Sequence, residues 1–404
     1  HAFDNDPVSL YLFLAVMLGA LIVLLVAWIM RRQSFQSSDD IEKVVSKNGS
    51  YYLTNLVMVF AGILLAYLTV SSALPSWLPA GGLTIGTGAY ETVARPLGVI
   101  LCALAAVCPF LMWKKTDGKQ FWSNMRLPLI IAAVLAVALI GHWAFNLLPA
   151  YEANLSQADT VAAADLQNMG PAWYYNGLAV IAMLVGSLLV ADSAYLVVRG
   201  VRARMNNKGE SLPRAIAGIV TKTPAQTGGY LTHLGLGIVL IGLVGSAMYI
   251  TDRTYIFNEG DTARVGAYTL KLTDATEAHY DEQNNRLSDV TVEVSKGGQV
   301  IDTLNPALEW TAKSYYGQTF VTACTVSNPF EDLFVSYQGY SSSGYIVNAR
   351  INPMISLVWA GFIVMTIGIV CAAAPKRSSI KDQLEVLPGG AGEQGAAEPA
   401  EPKE

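Results

Sequence analysis

Charged residues are scarce in this chain: only 14% of its 404 residues are Asp, Glu, Lys or Arg. Soluble domains carry about 25% on average, and a mean hydropathy of +0.38 shows that apolar residues take the missing share. The formal net charge of −5 leaves no basic footprint, so we expect no nucleic acid among its partners. The composition predicts a membrane protein.

Cysteine and histidine are also scarce, with four of each in the chain. No two cysteines form a CxxC pair, which argues against a disulfide framework and against a zinc site. No CxxCH motif is present, so the chain is not itself a c-type cytochrome. A Ser-His-Asp arrangement, a P-loop and a GxGxxG sequence opening a helix are absent as well.

Long apolar runs are abundant. Seven of them are each long enough to cross a hydrocarbon core of about 30 Å, namely 8–30, 53–73, 96–113, 128–149, 172–198, 228–250 and 353–374. Lys and Arg cluster after the first, third, fifth and seventh runs, whereas Arg95 is the only basic residue in the loops 74–95 and 150–171. The positive-inside rule therefore predicts an N-terminus outside and a C-terminus in the cytoplasm.

The loop 251–352 is too long for a simple connector and predicts a small, acidic all-β domain outside the membrane. Apolar and β-branched residues alternate in its predicted strands, which are TYIF, YTLKLTD, DVTVEV, TFVTACTV, LFVSYQGY and YIVNARI. DEQNNR and KGGQ have the composition of turns. We expect this domain to be held between the last two spans.

The predicted fold class is an α-helical polytopic membrane protein with seven spans and one extracytoplasmic all-β domain. Residues 1–250 form the membrane domain with six spans, 251–352 the β domain and 353–376 the final span. The tail 377–404 is rich in Gly, Ala, Glu and Pro, so we expect it to be disordered in the cytoplasm.

His233 is the first candidate functional residue, because it lies inside the apolar stretch GGYLTHLGLGIVLIGL. On a helix, Leu236, Gly237 and Leu240 share its face, and Gly237 removes a side chain one turn from the imidazole. Such a surface admits either another helix or a flat ligand. An intramembrane imidazole is a functional candidate, but glycines at this spacing also favour helix packing, and both interpretations remain open.

Three further residues are weaker candidates. His1 precedes the first span and is either a ligand at the outer membrane surface or a solvated terminal residue. His142, in GHW near the outer end of the fourth span, could extend to the interface beside its tryptophan. Asp192, at the inner end of the fifth span, is either a proton relay or a carboxylate that reaches the cytoplasmic face and pairs with a cation such as Arg199.

Six segments in order resemble the C-terminal half of the CcmF family, the membrane haem lyase subunit of System I cytochrome c maturation. They are HAFDNDP, SKNGSYYLTNLVMV, ARPLGVILCALAAVCPFLMWK, YLTHLGLGIVLIGL, EDLFVSYQGY and INPMISLVWAGFIVMTIGIVCAA. The resemblance covers nearly the whole chain except the tail. Because the chain begins at His1, within the first of these motifs, we expect it to be a piece of a longer lyase or one part of a split lyase.

The resemblance implies a cytochrome c haem lyase component that attaches haem through thioether bonds to the CxxCH motif of an apocytochrome. It implies that His1 is an axial ligand of haem in transit at the outer face and that His233 is an axial ligand of an integral b-type haem. The partner ligands and the Trp-rich WWD motif would lie in the family's N-terminal half, without which we expect no activity. No side chain here is expected to be catalytic.

The same resemblance implies quinol as an electron donor and a multi-pass location in the bacterial inner membrane. The implied partners are the N-terminal half of the lyase, the haem chaperone CcmE, a CcmH-type subunit and apocytochrome c. Two alternatives remain. One is a paralogous lyase for a multihaem nitrite reductase, and the other, from a different class, is a transporter or channel subunit in which Asp192 and His233 line a pathway.

Overall fold

The computed structural model describes residues 7–32, 44–71, 74–157, 171–280, 286–310 and 319–374. Helices dominate the chain up to residue 248 and return after the β domain. The described helices are α1 (Pro7–Arg31), α2 (Lys47–Val70), α3 (Thr87–Val107), α4 (Gly118–His142), α5 (Leu148–Gln157), α6 (Ala172–Lys208), α7 (Leu212–Lys222), α8 (Pro224–Leu243) and α9 (Ile355–Ala373).

Six helical stretches in the described part of the chain are long and apolar enough to cross a membrane. They are Lys47–Val70, Gly88–Phe110, Gly118–Ser156, Ala172–Lys208, Pro224–Met248 and Ile355–Ala373. Each coincides with one predicted span. The remaining predicted span, 8–30, coincides with α1, in which the apolar stretch is Leu18–Arg31. The polytopic helical fold is thus confirmed. Of the seven predicted spans, six meet this criterion among the described residues, and α1 has the shorter apolar stretch.

Local sequence signals explain where several helices begin and end. The hydroxyl of Ser46 accepts a hydrogen bond of 3.0 Å from the amide of Gly49 at the start of α2, and Asp117 accepts one from the amide of Lys119 at the start of α4. Both residues satisfy amides that the helix leaves unpaired. Gly209 ends α6 with a φ of 62°, a conformation that glycine adopts without steric cost.

Helix α8 is the centre of the membrane domain, because it packs against both α9 and α6, while α6 also contacts α3 and α4. Its contact with α9 is made backbone to backbone. A β-carbon added at Gly235 would lie 2.5 Å from the carbonyl oxygen of Gly361, and one added at Gly228 would lie 2.5 Å from that of Gly368. Such small-residue contacts let membrane helices approach closely.

The ends of α4 and α8 that lie next to the β domain both continue as π-helical segments, Trp143–Leu147 and Val244–Met248. Tyr151, Tyr175 and Tyr249 pack between them, with ring centroids 5.3 to 5.8 Å apart. The hydroxyl of Tyr175 donates to the carbonyl oxygen of Met248. This cluster joins α6 to the end of α8 directly before the first strand.

Ten strands occupy the described residues of the β domain. They are β1 (Thr251–Phe257), β2 (Thr262–Val265), β3 (Tyr268–Tyr280), β4 (Arg286–Lys296), β5 (Gln299–Leu304), β6 (Ala307–Trp310), β7 (Thr319–Thr322), β8 (Cys324–Ser327), β9 (Glu331–Ser341) and β10 (Gly344–Pro353). They form two antiparallel sheets, ordered β1-β10-β9-β8 and β2-β3-β4-β6-β7, with β5 paired to β4. Leu270, Leu272 and Val292 from one sheet and Leu333 and Val335 from the other fill the core between them.

One predicted strand is divided between the two sheets. TFVTACTV was expected to be a single strand, but β7 pairs with β6 in one sheet and β8 pairs with β9 in the other. The chain leaves the first sheet at Ala323 and joins the second, which a period-two pattern does not reveal. The KGGQ turn is a two-residue hairpin, since Lys296 pairs with Gln299 across Gly297 and Gly298, and both glycines have positive φ.

Candidate functional site

His233 lies in the middle of α8 and is half-buried. Its Nδ1 atom is buried and has no hydrogen-bond partner in the described part of the chain. Leaving a buried polar group unpaired costs about 1–3 kcal/mol, so we expect Nδ1 to form a hydrogen bond with a group outside these residues, which would leave Nε2 for a ligand. An imidazole nitrogen is a common axial ligand of haem iron. The chemistry of this residue therefore fits the haem that the family resemblance implies for it.

Several glycines of α8 admit neighbouring helices rather than a flat ligand. A β-carbon added at Gly237 would lie 3.1 Å from the backbone nitrogen of Val190 and 3.2 Å from the carbonyl oxygen of Gly186. Helix α6 therefore occupies the space that Gly237 leaves, and the helix-packing interpretation is correct for this glycine. Gly235 meets α9 in the same way.

Open space next to α8 lies instead at Gly229, where an added β-carbon would meet no described atom within 4 Å. Gly229 precedes His233 by four residues, so both lie on one face of the helix. The face is open on the side of the imidazole toward the start of α8. Nothing in the sequence pattern distinguishes this open glycine from a packed one.

Asp192 lies at the same depth as His233, because α6 and α8 run antiparallel. Tyr175 meets Met248 near one end of the pair, and Gly186 meets Gly237 further along. The side chain of Asp192 is fully buried; one oxygen accepts a 3.2 Å hydrogen bond from Ser193. The other has no partner among the described residues.

The alternative in which Asp192 reaches the cytoplasmic face does not match this placement. The carboxylate is completely enclosed rather than extended to water. Arg199, its expected ion-pair partner, is exposed and makes no ion pair with it in the described structure. Asp192 and His233 thus place two unpaired buried polar atoms at one level of the α6–α8 pair.

The other two histidine candidates are separate from this level. His142 is exposed at the end of α4, where its Nδ1 lies 3.3 Å from the amide nitrogen of Asn146. The end of α4 packs near Val244 and Met248, which are 11 and 15 residues beyond His233, or roughly 16 to 22 Å along the helix. His1 lies outside the described residues. Among those that are described, no cluster of three His, Cys, Asp or Glu could hold a metal ion.

A cavity of about 400 Å³ opens beside the first two turns of α8. Lys47, Arg199 and Tyr230 are among the residues that line it, together with Gln226 and Thr227 of α8. Tyr230 precedes His233 by less than one turn, so one wall of the cavity lies within a turn of His233 on the side of the α8 start. This places two cations near the predicted haem ligand.

No protein-family model matches the chain. It is 25% identical over 395 residues to the cytochrome c-type biogenesis protein CcmF of Pseudomonas aeruginosa, covering 96% of this chain and 52% of that protein. It is 22% identical to the cytochrome c-type biogenesis protein CycK of Bradyrhizobium diazoefficiens, covering 95% and 54%. A similar protein in Escherichia coli, also named CcmF, is 23% identical over 388 residues, with 93% and 51% covered.

A solved structure of cytochrome c haem lyase CcmF matches the fold with a TM-score of 0.59 and 15% sequence identity, covering 82% of this chain and 46% of that one. The resemblance indicated by the six sequence segments is therefore confirmed. The chain spans about half the length of the curated relatives it matches, which is consistent with its placement in the C-terminal half.

Proposed function

We propose that this chain, similar over nearly its whole length to half of CcmF, is the C-terminal part of a cytochrome c haem lyase. In this proposal His233 would hold the iron of an integral b-type haem, and a second ligand would come from the N-terminal half. The observation that carries the proposal is the imidazole of His233 in the middle of an apolar helix long enough to cross a membrane, in a chain whose relatives are cytochrome c biogenesis proteins.

The described residues position this imidazole rigidly. Backbone contact at Gly237 fixes α8 against α6, and backbone contact at Gly235 fixes it against α9. A ligand on a helix held from both sides loses little freedom when it binds, which favours a defined metal geometry. The bound haem would supply one-electron redox chemistry, while the protein would supply the imidazole and hold the helix that carries it.

His1 belongs to the proposal as the ligand of haem in transit at the outer face. His233 precedes Met248, the last residue of the π-helical segment that continues its helix, by 15 residues, or roughly 22 Å. The two haems would then lie at different depths of the membrane, with the integral haem toward the cytoplasm. An electron donated by quinol would have to cross this distance to keep the outer haem ferrous, so a further carrier or a close porphyrin edge is required.

The remaining partners and the location are part of the same proposal. The chain would work in the bacterial inner membrane with the N-terminal half of the lyase, the haem chaperone CcmE, a CcmH-type subunit and apocytochrome c. In the orientation predicted from the positive-inside rule, the β domain would lie outside, where the apocytochrome would receive haem. The acidic β domain would not adhere to anionic lipid, which leaves its surface free for such partners.

Maturation of a reporter cytochrome tests this function. The chain is co-expressed with its N-terminal half in a bacterium that lacks its own lyase, and covalent haem on a CxxCH reporter is measured by peroxidase staining. We expect His233→Ala to reduce the stain at least about tenfold, as loss of a metal-site group does, and His142→Ala to leave it unchanged. Staining only of a multihaem nitrite reductase would favour the paralogous lyase. Absence of haem from the wild-type complex would favour a transporter or channel subunit.

A further inference from the structure

The cavity beside the start of α8 is built from five helical elements and not from one. Lys47 comes from the start of α2, Arg199 from the last third of α6, and Ile219 from α7. Pro109 follows α3, and Gln226 lies in the first turn of α8. The shape of this open space of about 400 Å³ therefore depends on how several elements are assembled.

The charges that line this cavity are all positive. Among the described residues that line it, Arg199 and Lys47 carry a positive charge and none is a carboxylate. The ammonium of Lys47 lies 5.3 Å from the ring centre of Trp113, which limits where it can go. Gln226 and Tyr230 are hydrogen-bonded to each other at 2.7 Å. Two cations beside a polar wall form a site for an anion.

Part of the cavity wall lies on the face of α8 that carries the imidazole. Gln226 precedes His233 by seven residues, two helical turns, which is about 10 Å along the axis. Gly229 lies between them on the same side and leaves open space. An elongated ligand held at its centre by His233 would extend along this open strip and end between Arg199 and Lys47.

We propose that this cavity receives the propionate carboxylates of the haem whose iron His233 binds. This inference rests on the proposed function and adds the residues that orient the porphyrin. Arginine presents a planar fork that pairs with a carboxylate through two hydrogen bonds, and lysine adds a point charge. Arg199 and Lys47 are positioning residues in this arrangement, which points the carboxylate edge of the ring toward the start of α8.

The test uses the purified complex of the chain with its N-terminal half. Arg199→Gln, Lys47→Gln and the double variant are compared with Arg202→Gln, which removes a cation from the same helix outside the cavity. The readouts are the reduction potential of the b-type haem and the rate of haem transfer to apomyoglobin. We expect a lower potential in both single variants, because a nearby cation favours the less positive ferrous iron. Haem release should accelerate several-fold, most in the double variant, and Arg199→Lys should restore part of the potential.

The outcomes separate this inference from the function it rests on. A wild-type complex that contains no haem would overturn the proposed function itself. The other outcome is that haem is bound normally, but the double variant changes its reduction potential and release rate no more than Arg202→Gln does. That outcome would overturn only the inference. A phospholipid phosphate has the same anionic oxygens; if native mass spectrometry detects a phospholipid that Arg199→Gln removes while the haem potential stays constant, the cavity is a lipid site and the inference is wrong.

Discussion

The α8–α9 contact and the β-domain core are packed in opposite ways. Between α8 and α9, glycines at positions 228 and 235 face glycines at 368 and 361, and the two backbones touch. Between the two sheets, large side chains such as Leu270, Leu272 and Leu333 are completely buried. The same chain thus uses the smallest residue to join two helices and large apolar residues to join two sheets.

The difference in packing follows from the surroundings, which are lipid for the helices and water for the β domain. Lipid tails are as apolar as leucine, so burying leucine between membrane helices gains little, and close backbone approach provides the attraction. The β domain is expected to face water, where each buried apolar side chain contributes about 1.5–3 kcal/mol. Substitutions that add volume should therefore damage the helix contact most, and substitutions that remove volume should damage the β domain most.

Adding volume at Gly235 should have the largest effect. Its added β-carbon would lie 2.5 Å from two backbone atoms of α9, neither of which can rotate away. We expect Gly235→Val to destabilise the α8–α9 contact by at least about 3 kcal/mol, the upper part of the range for overpacking. The yield of monodisperse protein in mild detergent should fall strongly. Gly177→Val on α6, where the same β-carbon meets no described atom within 4 Å, should be purified normally.

Removing volume in the β domain should have the next largest effect. Leu333 has no exposed surface and lies in the core between the sheets. Leu333→Ala should lower the free energy of unfolding of this domain by about 3 kcal/mol, because it removes buried methyl groups and leaves a cavity. Urea-dependent proteolysis of the detergent-purified protein measures the change. Val300→Ala, at an exposed position of β5, should be nearly neutral, and an equal loss there would contradict the comparison.

Substitution of Tyr268 should have the smallest effect on the stability of the β domain, and this effect should depend on pH. Its hydroxyl bonds Glu331 at 3.0 Å, Lys296 at 3.3 Å and Asn328 at 2.9 Å. Burial, followed by the negative charge of Glu331, raises the pKa of Tyr268 above its ordinary value. The pKa of Lys296 is also raised, since its bonds to Tyr268 and Glu331 outweigh the opposing effect of burial.

Both shifts predict that the β domain loses stability in alkali. The unfolded tyrosine ionises near its ordinary pKa of about 10, before the folded one does, so the folded state is disfavoured as pH rises through that value. The Lys296 contribution is present below the unfolded lysine pKa and is lost as pH rises through its higher folded pKa. Tyr268→Phe should cost about 1 kcal/mol at neutral pH and flatten this alkaline decline. An unchanged slope of unfolding free energy above pH 10 would contradict the assignment.

The sequence predicted elements with a strong period or a long apolar run. The span around His233 was identified because apolar residues continue from Gly228 to Ile250. The short strands β2, β5 and β6 were missed; β5 has an almost uniformly exposed pattern, so no alternation reveals it. The divided strand at Ala323 was missed for another reason, because its alternation is the same whether it stays in one sheet or crosses to the other.

The sequence predicts only part of the candidate site, because the rest depends on which neighbouring helices pack against α8. Position in an apolar run identified His233 and Asp192, but the function of each surrounding glycine is set by what the next helix brings close. Gly237 meets α6, whereas Gly229 meets no described atom. The same limit applies to Arg199 and Lys47, which are 152 residues apart in the chain and are recognised as a pair only when the helices are assembled.

The absorption spectrum of the chain co-purified with its N-terminal half tests the central claim most directly. The account predicts a b-type haem spectrum in the wild type and in His142→Ala, and its loss in His233→Ala without loss of the assembled protein. A b-type spectrum that persists unchanged in His233→Ala would show that this imidazole does not bind the iron and would contradict the account.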